Sequence, residues 1–177
     1  MRLMILPLLI LPTLAQTAPA PAERGAQLLT PFKMELKQTL MKGLEEGPES
    51  AVTLCQQEAP AIARRHSNNG IQMGRSSDKL RSPENRPPAW VEPILSQFQR
   101  GELTPVTVEI TKETTGYAEP ITIAPPCLAC HGQQIANETR ALLSHYYPED
   151  EATGYQLGQW RGLFWVEFPT ESAQKGG

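Results

Sequence analysis

The hydrophobic period of this chain first changes near residue 100, and that change decides its fold class. Upstream the period is helical. From about Ala26 to Leu44, apolar residues Leu28, Leu29, Phe32, Leu36, Leu40 and Leu44 recur at spacings that keep to one helix face. Glu45-Glu46-Gly47-Pro48 then supplies a stop, with Gly and Pro in the order that ends helices. A second helix is predicted from Pro48-Glu49-Ser50, with Val52, Cys55, Ala59 and Ile62 on one stripe. Pro60 lies inside that stripe and removes a backbone donor, so a kink or a fresh helix start is expected there. Asn68-Asn69-Gly70 reads as a turn, and residues 71–90 as a polar loop carrying Arg75, Lys79, Arg81 and Arg86. Trp90, Ile94 and Phe98 predict one more short helix.

Downstream the period is two. Val106, Val108 and Ile110 alternate with polar residues as a half-buried strand does. Gly116 separates this run from Glu119 to Ala124 and suggests a hairpin turn. A helix from Ile135 to His145 follows, then the Gly-containing stretch YPEDEATGYQLGQWRG (147–162) and a hydrophobic strand from Leu163 to Phe168. Helices first, then about three strands with a helical insertion, define an α+β domain.

The ends read differently from this middle. Met1-Arg2 followed by the apolar run Leu3 to Leu14 has the form of an export signal and is too short to span a bilayer. Small residues offer cleavage near 15 or 20, so residues 1–20 are expected to be removed. An uncleaved anchor is the alternative. Residues 21–25 are expected to be a flexible lead, 26–168 the folded domain and 169–177 a disordered tail. No cysteine follows the apolar run and no long apolar stretch recurs, which argues against a lipid anchor and stable membrane insertion. The chain is thus expected in the periplasm or another extracytoplasmic compartment. Formal net charge is −3, with the basic residues scattered apart from the 71–90 loop, so nothing marks a nucleic-acid binder.

In an exported chain, cysteines usually pair, yet this one has three: Cys55, Cys127 and Cys130. Cys127-Leu128-Ala129-Cys130-His131 is the C-x-x-C-H pattern of c-type haem attachment. Two thiols at that spacing can each add to one vinyl group of a porphyrin, and the following histidine reaches the iron as an axial ligand. A thioredoxin-type C-x-x-C fits poorly after Pro125-Pro126, a zinc site lacks a fourth ligand, and a Cys127–Cys130 disulfide would close a strained ring. One covalent haem c on Cys127 and Cys130, with His131 on iron, is the expectation. The second axial ligand stays open among Cys55, His66, His145, Met34, Met41 and Met73. Cys55 stands out as the cysteine without a partner, on an apolar stripe.

Four stretches carry a family resemblance: AVTLCQQEAPAIA (51–63), GRSSDKLRSPENRPPAW (74–90), PPCLACHG (125–132) and YPEDEATGYQLGQWRG (147–162). Over Ala26 to Phe168 the chain resembles small c-type haem domains with a PAS-like fold, found alone as exported proteins and as sensing regions of bacterial signalling proteins. The resemblance implies a PAS-like antiparallel sheet behind long N-terminal helices. It also implies an iron held by His131 on one side and by the thiolate of Cys55 on the other. Arg75, Lys79 and Arg81 would then approach the haem propionates, where arginine can grip a carboxylate with two hydrogen bonds. Trp90 and Tyr155 could pack near the porphyrin, although ordinary core placement accounts for both.

A thiolate ligand favours ferric iron and a low potential, and its loss on reduction would open a place for a small diatomic gas such as CO or NO. A redox or gas sensing role without turnover is therefore expected, signalling to a redox or signalling partner that the sequence does not name. A periplasmic electron carrier is the alternative. A peroxidase-like enzyme comes third, since no distal acid–base group stands out. The apolar face of residues 26–44 could pair two copies as a homodimer, or pack on its own domain.

Overall fold

The computed structural model describes residues 19–175, so the apolar run read as an export signal lies outside the described residues. Helix α1 covers Pro21–Glu46 and helix α2 covers Pro48–His66, joined at Gly47, whose φ of 123° is open to glycine. Residues 21–25, expected as a flexible lead, are the first turn of α1. Pro21 sits where its missing N–H costs nothing. Gly25 is buried so closely on Tyr117 that an added Cβ would lie 2.4 Å from its side chain, which fixes that turn to the sheet. Helix α2 runs through Pro60 as one element, so the proline does not split it.

The two helices cross at Gly43, where an added Cβ would stand 2.5 Å from the Ala51 Cα. Gly43→Ala should gain about 1 kcal/mol of helix propensity yet lose about 1–3 kcal/mol to overpacking, because backbone cannot give way as a side chain can. A lowered urea midpoint is the expected net result; an unchanged or higher midpoint would show that the crossing can spread without loss.

Four strands follow: β1 Gln72–Ser76, β2 Val106–Thr111, β3 Thr114–Thr122 and β4 Trp160–Pro169. They form one antiparallel sheet in the order β1-β4-β3-β2. Strand β1 replaces part of the expected polar loop. Its residues QMGRS show little alternation, because Ser76 is buried and Gly74 lies against the Trp165 ring, 2.8 Å from an added Cβ. The β2–β3 hairpin turns at Lys112-Glu113, not at Gly116. Gly116 sits within β3, where the Trp90 ring lies 2.9 Å from an added Cβ.

Side chains on the two sheet faces enter different cores, as strand alternation requires. Met73, Tyr117, Val166 and Phe168 pack with Leu29, Phe32 and Ile62 of α1 and α2. Ala118 and Leu163 face the other way, onto Val91, Ile94, Leu95 and Phe98 in and beside helix α3, Glu92–Gln99. A helix–sheet–helix α+β layering results.

Between β3 and β4 the chain leaves the sheet through a 3-10 turn at Pro125–Cys127, the short helix α4 (Leu128–His131) and helix α5 (Asn137–Tyr146). This excursion packs on α2 through Val52, Cys130, Ile135 and Leu143. Thr139, fully buried on α5, donates to Glu49 of α2 at 2.5 Å, a second tie between them. The expected disordered tail begins instead with a short helix α6, Glu171–Lys175. Among the described residues no helix is long and apolar enough to cross a membrane.

Candidate functional site

The excursion after β3 and the inner face of α2 enclose a cleft with two lobes. The inner lobe is about 300 Å³ and the outer about 630 Å³, a combined size in the range of small-molecule and cofactor sites. Cys55, Ala59, Arg75, Arg81, Ser82, Asn85 and Tyr147 line both lobes, so the two are continuous.

One wall of the inner lobe is the Cys127–His131 turn. Pro125 and Pro126 start a tight 3-10 turn closed by the Cys127 N–H donating to the Ala124 carbonyl at 2.9 Å. Cys127, Cys130 and His131 all reach the lobe from it. The chain leaves at Gly132, whose N–H donates to the Leu128 carbonyl at 3.0 Å; a Cβ there would meet that oxygen at 2.5 Å. Across the lobe, α2 presents Val52, Cys55 and Ala59. All three cysteines are free thiols.

His131 is held by its far side. Its Nδ1 lies 2.6 Å from the Ala152 carbonyl, and since a carbonyl only accepts, Nδ1 carries the proton and donates. Nε2 therefore keeps its lone pair for another partner. Burial, reinforced by the charges of Arg81 and Arg161, holds the imidazole pKa well below its ordinary value, so the ring is neutral at pH 7. The Tyr155 ring meets it edge-on, with centroids 6.3 Å apart.

Burial also raises the thiol pKa of Cys55, against the pull of Arg75 and Arg81, and raises that of Cys130 against Arg81. Both are thiols, not thiolates, in this state. Five cations line the inner lobe, namely Lys33, Lys37, Arg75, Arg81 and Arg161, and none of its lining residues is acidic. Lys33 is paired with Glu119 and Arg81 with Asp150, and Arg161 donates to the Lys79 carbonyl, whereas the Arg75 side chain makes no hydrogen bond or ion pair among the described residues. A largely apolar lobe lined by five cations, with the Arg75 side chain unpartnered among the described residues, suits a flat, hydrophobic ligand bearing carboxylates.

The sequence-derived site residues separate clearly in space. Cys127, Cys130, His131, Cys55, Arg75 and Arg81 converge on the inner lobe. Lys79 does not line it; the side chain is exposed, with Nζ 5.4 Å from the centroid of the Tyr155 ring. His66 is engaged elsewhere, with Nε2 2.7 Å from Glu35 and its ring against Phe32. His145 is exposed at the end of α5, Met34 and Met41 are exposed on α1, and Met73 is in the core. Of the open candidates for a second ligand, Cys55 is thus the one on the lobe. Trp90 packs in the fold, its Nε1 donating to Glu167 at 2.6 Å.

Asp150, Ala152 and Arg161 carry no signal of residue type. All three lie in the 147–162 stretch, and neither charge nor period there distinguishes a site residue from a surface one.

The architecture and the cleft define a class: an α+β protein whose C-x-x-C-H turn and a helix-borne cysteine line one cation-lined cavity. Within that class, the chain belongs to the Tll0287-like family, whose model (Tll0287-like: Tll0287) matches residues 14–169. The crystal structure of the cyanobacterial heme-protein Tll0287 superposes with a TM-score of 0.60 at 27% sequence identity, covering 85% of this chain and 98% of that one. Among curated proteins no significant sequence match was found.

Proposed function

We propose that this chain is an exported c-type haem protein with one haem, attached through Cys127 and Cys130 and bound at the iron by His131 and Cys55. The observation that carries this reading is the inner lobe itself: two thiols and a neutral imidazole with a free Nε2 on one wall, and a lone thiol on the other. The heme-protein structure that matches most of this chain supports the same cofactor. Arg75, which stands where the two lobes meet and whose side chain has no partner among the described residues, would take a propionate. Arg81 lines the same lobe, but its guanidinium already holds Asp150 and two carbonyls. Lys79 could reach a propionate only by leaving the Tyr155 ring.

Haem brings a one-electron iron couple to the site. The protein sets how Cys55 meets it. Burial holds Cys55 as a thiol, so ligation requires it to give up its proton, as metal-bound thiols do. Were the iron reduced, burial would favour Cys55 as the neutral thiol, with its proton taken up from solvent, and a thiol that let go of the iron would leave room in the lobe for CO or NO. The role that follows is a low-potential redox or gas sensor with a PAS-like fold, acting outside the cytoplasm through a protein partner. A second reading, an electron carrier, draws on Lys79 and Arg161, whose charged groups sit 5.4 and 5.5 Å from the Tyr155 ring beside His131. That cationic spot would suit an anionic redox partner.

The test is to produce the protein with haem-maturation machinery and record oxidised, reduced and CO-treated spectra. CO binding only after reduction supports the sensor; no CO binding, with a potential in the Met/His range, supports the carrier; absence of haem ends both. Cys55→Ser should change the ferric EPR signal and raise the potential by more than about 59 mV, a tenfold shift of a one-electron equilibrium. An unchanged EPR signal removes Cys55 from the iron.

A further inference from the structure

The carbonyl that holds His131 is itself held. Arg81 Nη2 donates to the same Ala152 oxygen at 3.3 Å and to the Cys130 carbonyl at 2.6 Å. Its Nε donates to Asp150 Oδ2 at 3.1 Å, while Asp150 Oδ1 accepts from the Ala152 N–H at 2.8 Å. One ion pair therefore clamps both polar groups of Ala152 and one carbonyl of the C-x-x-C-H turn. Its side chains are 14% and 8% exposed, so solvent screens it weakly.

A buried pair is poor evidence of a purely stabilising role, since its desolvation offsets its attraction. This pair sits behind an axial ligand, where hydrogen bonds set how strongly an imidazole donates to its metal. The Ala152 oxygen divides its lone pairs between the His131 Nδ1–H and a guanidinium. The cation draws electron density from that oxygen and weakens its hold on the His131 proton. His131 then gains less imidazolate character and gives less to ferric iron. Asp150 acts in the opposite sense, by partly neutralising Arg81.

We propose that Arg81 and Asp150 are positioning residues that set the reduction potential in opposite directions through the Ala152 carbonyl and His131. The inference rests on the haem reading above. It adds that the arginine which the family resemblance pointed towards a propionate works instead behind the proximal histidine.

The experiment is spectroelectrochemical titration of the haem-loaded protein as wild type, Arg81→Gln, Arg81→Lys and Asp150→Asn. Arg81→Gln should lower the potential by about 59 mV, tenfold in the one-electron equilibrium, and Asp150→Asn should raise it by a similar factor. Arg81→Lys, which keeps the charge, should stay within about threefold of wild type. A structural clamp would loosen the same turn in both neutralised variants, so shifts of the same sign overturn the proposal. Shifts within about twofold of wild type in both overturn it as well. Where Arg81→Gln fails to retain haem, the sign given by Asp150→Asn decides alone: upward supports the proposal, flat or downward overturns it. Wild type without haem would sink the functional reading first, a result distinct from any of these.

Discussion

Replacing Cys127 and Cys130 together with alanine is expected to abolish covalent haem, leaving no haem-stained band on a denaturing gel. The argument is chemical as well as geometric. A thioether is the bond that survives denaturation, and these two thiols share one turn with His131 at the lobe. Either single alanine variant should retain a weaker band through the remaining thiol. Cys55→Ala is the informative control. It removes the third thiol on the same lobe, and if Cys55 is the proposed iron ligand and not an attachment point, the band should stay at full strength. Covalent haem in the double variant, or its loss in Cys55→Ala, would reverse the roles assigned to the three cysteines.

The second large effect falls on stability. Phe32 is 1% exposed and joins α1 to α2 and the sheet, with the Phe164 and His66 rings each centred 5.9 Å away. Phe32→Ala should cost about 3–5 kcal/mol, the range for emptying a buried phenylalanine site. That is a large part of the roughly 5–15 kcal/mol that keeps a domain folded. The upper half of the range is expected here, because Phe32 also borders the outer lobe and neighbours on that side cannot fill the gap. A fall in urea midpoint with an unchanged slope is the measurement. A loss below about 1 kcal/mol would mean that Phe164 and Leu36 collapse into the space.

Both variants draw on residues that were legible from sequence for different reasons. The apolar spacing from Leu28 to Leu44 gave the face of α1, since a long surface helix shows its stripe plainly. Cys127 to His131 was legible because attachment chemistry demands fixed residues at fixed spacing. Strand β1 was hidden because Gly74, Arg75 and Ser76 are shaped by what lies across from them. Trp165 needs the bare Gly74, and the Trp165 Nε1 donates to Ser76 at 3.2 Å. Such requirements belong to the partner strand and leave no period of their own. Gly116 misled for a related reason, since a glycine cut to fit Trp90 looks like a glycine in a turn. In the site, the family resemblance and not charge points to Arg75, Lys79 and Arg81, and the cleft takes Arg75 and Arg81 but not Lys79. The different work of Arg81 depends on carbonyls of Cys130 and Ala152, and backbone acceptors carry no residue signature.

Strand β4 comes last of the four strands in the chain, yet it lies between β1 and β3. Until Trp160–Pro169 has been made, β1 has no strand to pair with and β3 has only β2. Contacts this far apart in sequence close slowly. The residues of the Cys127–His131 turn precede β4 in the chain, and the wall that Arg161, Gly162 and Phe164 of β4 add to the inner lobe is made after them. Under the proposed haem reading, that strand order would leave the thiols open before the pocket closes, a time window in which a bulky cofactor could reach them.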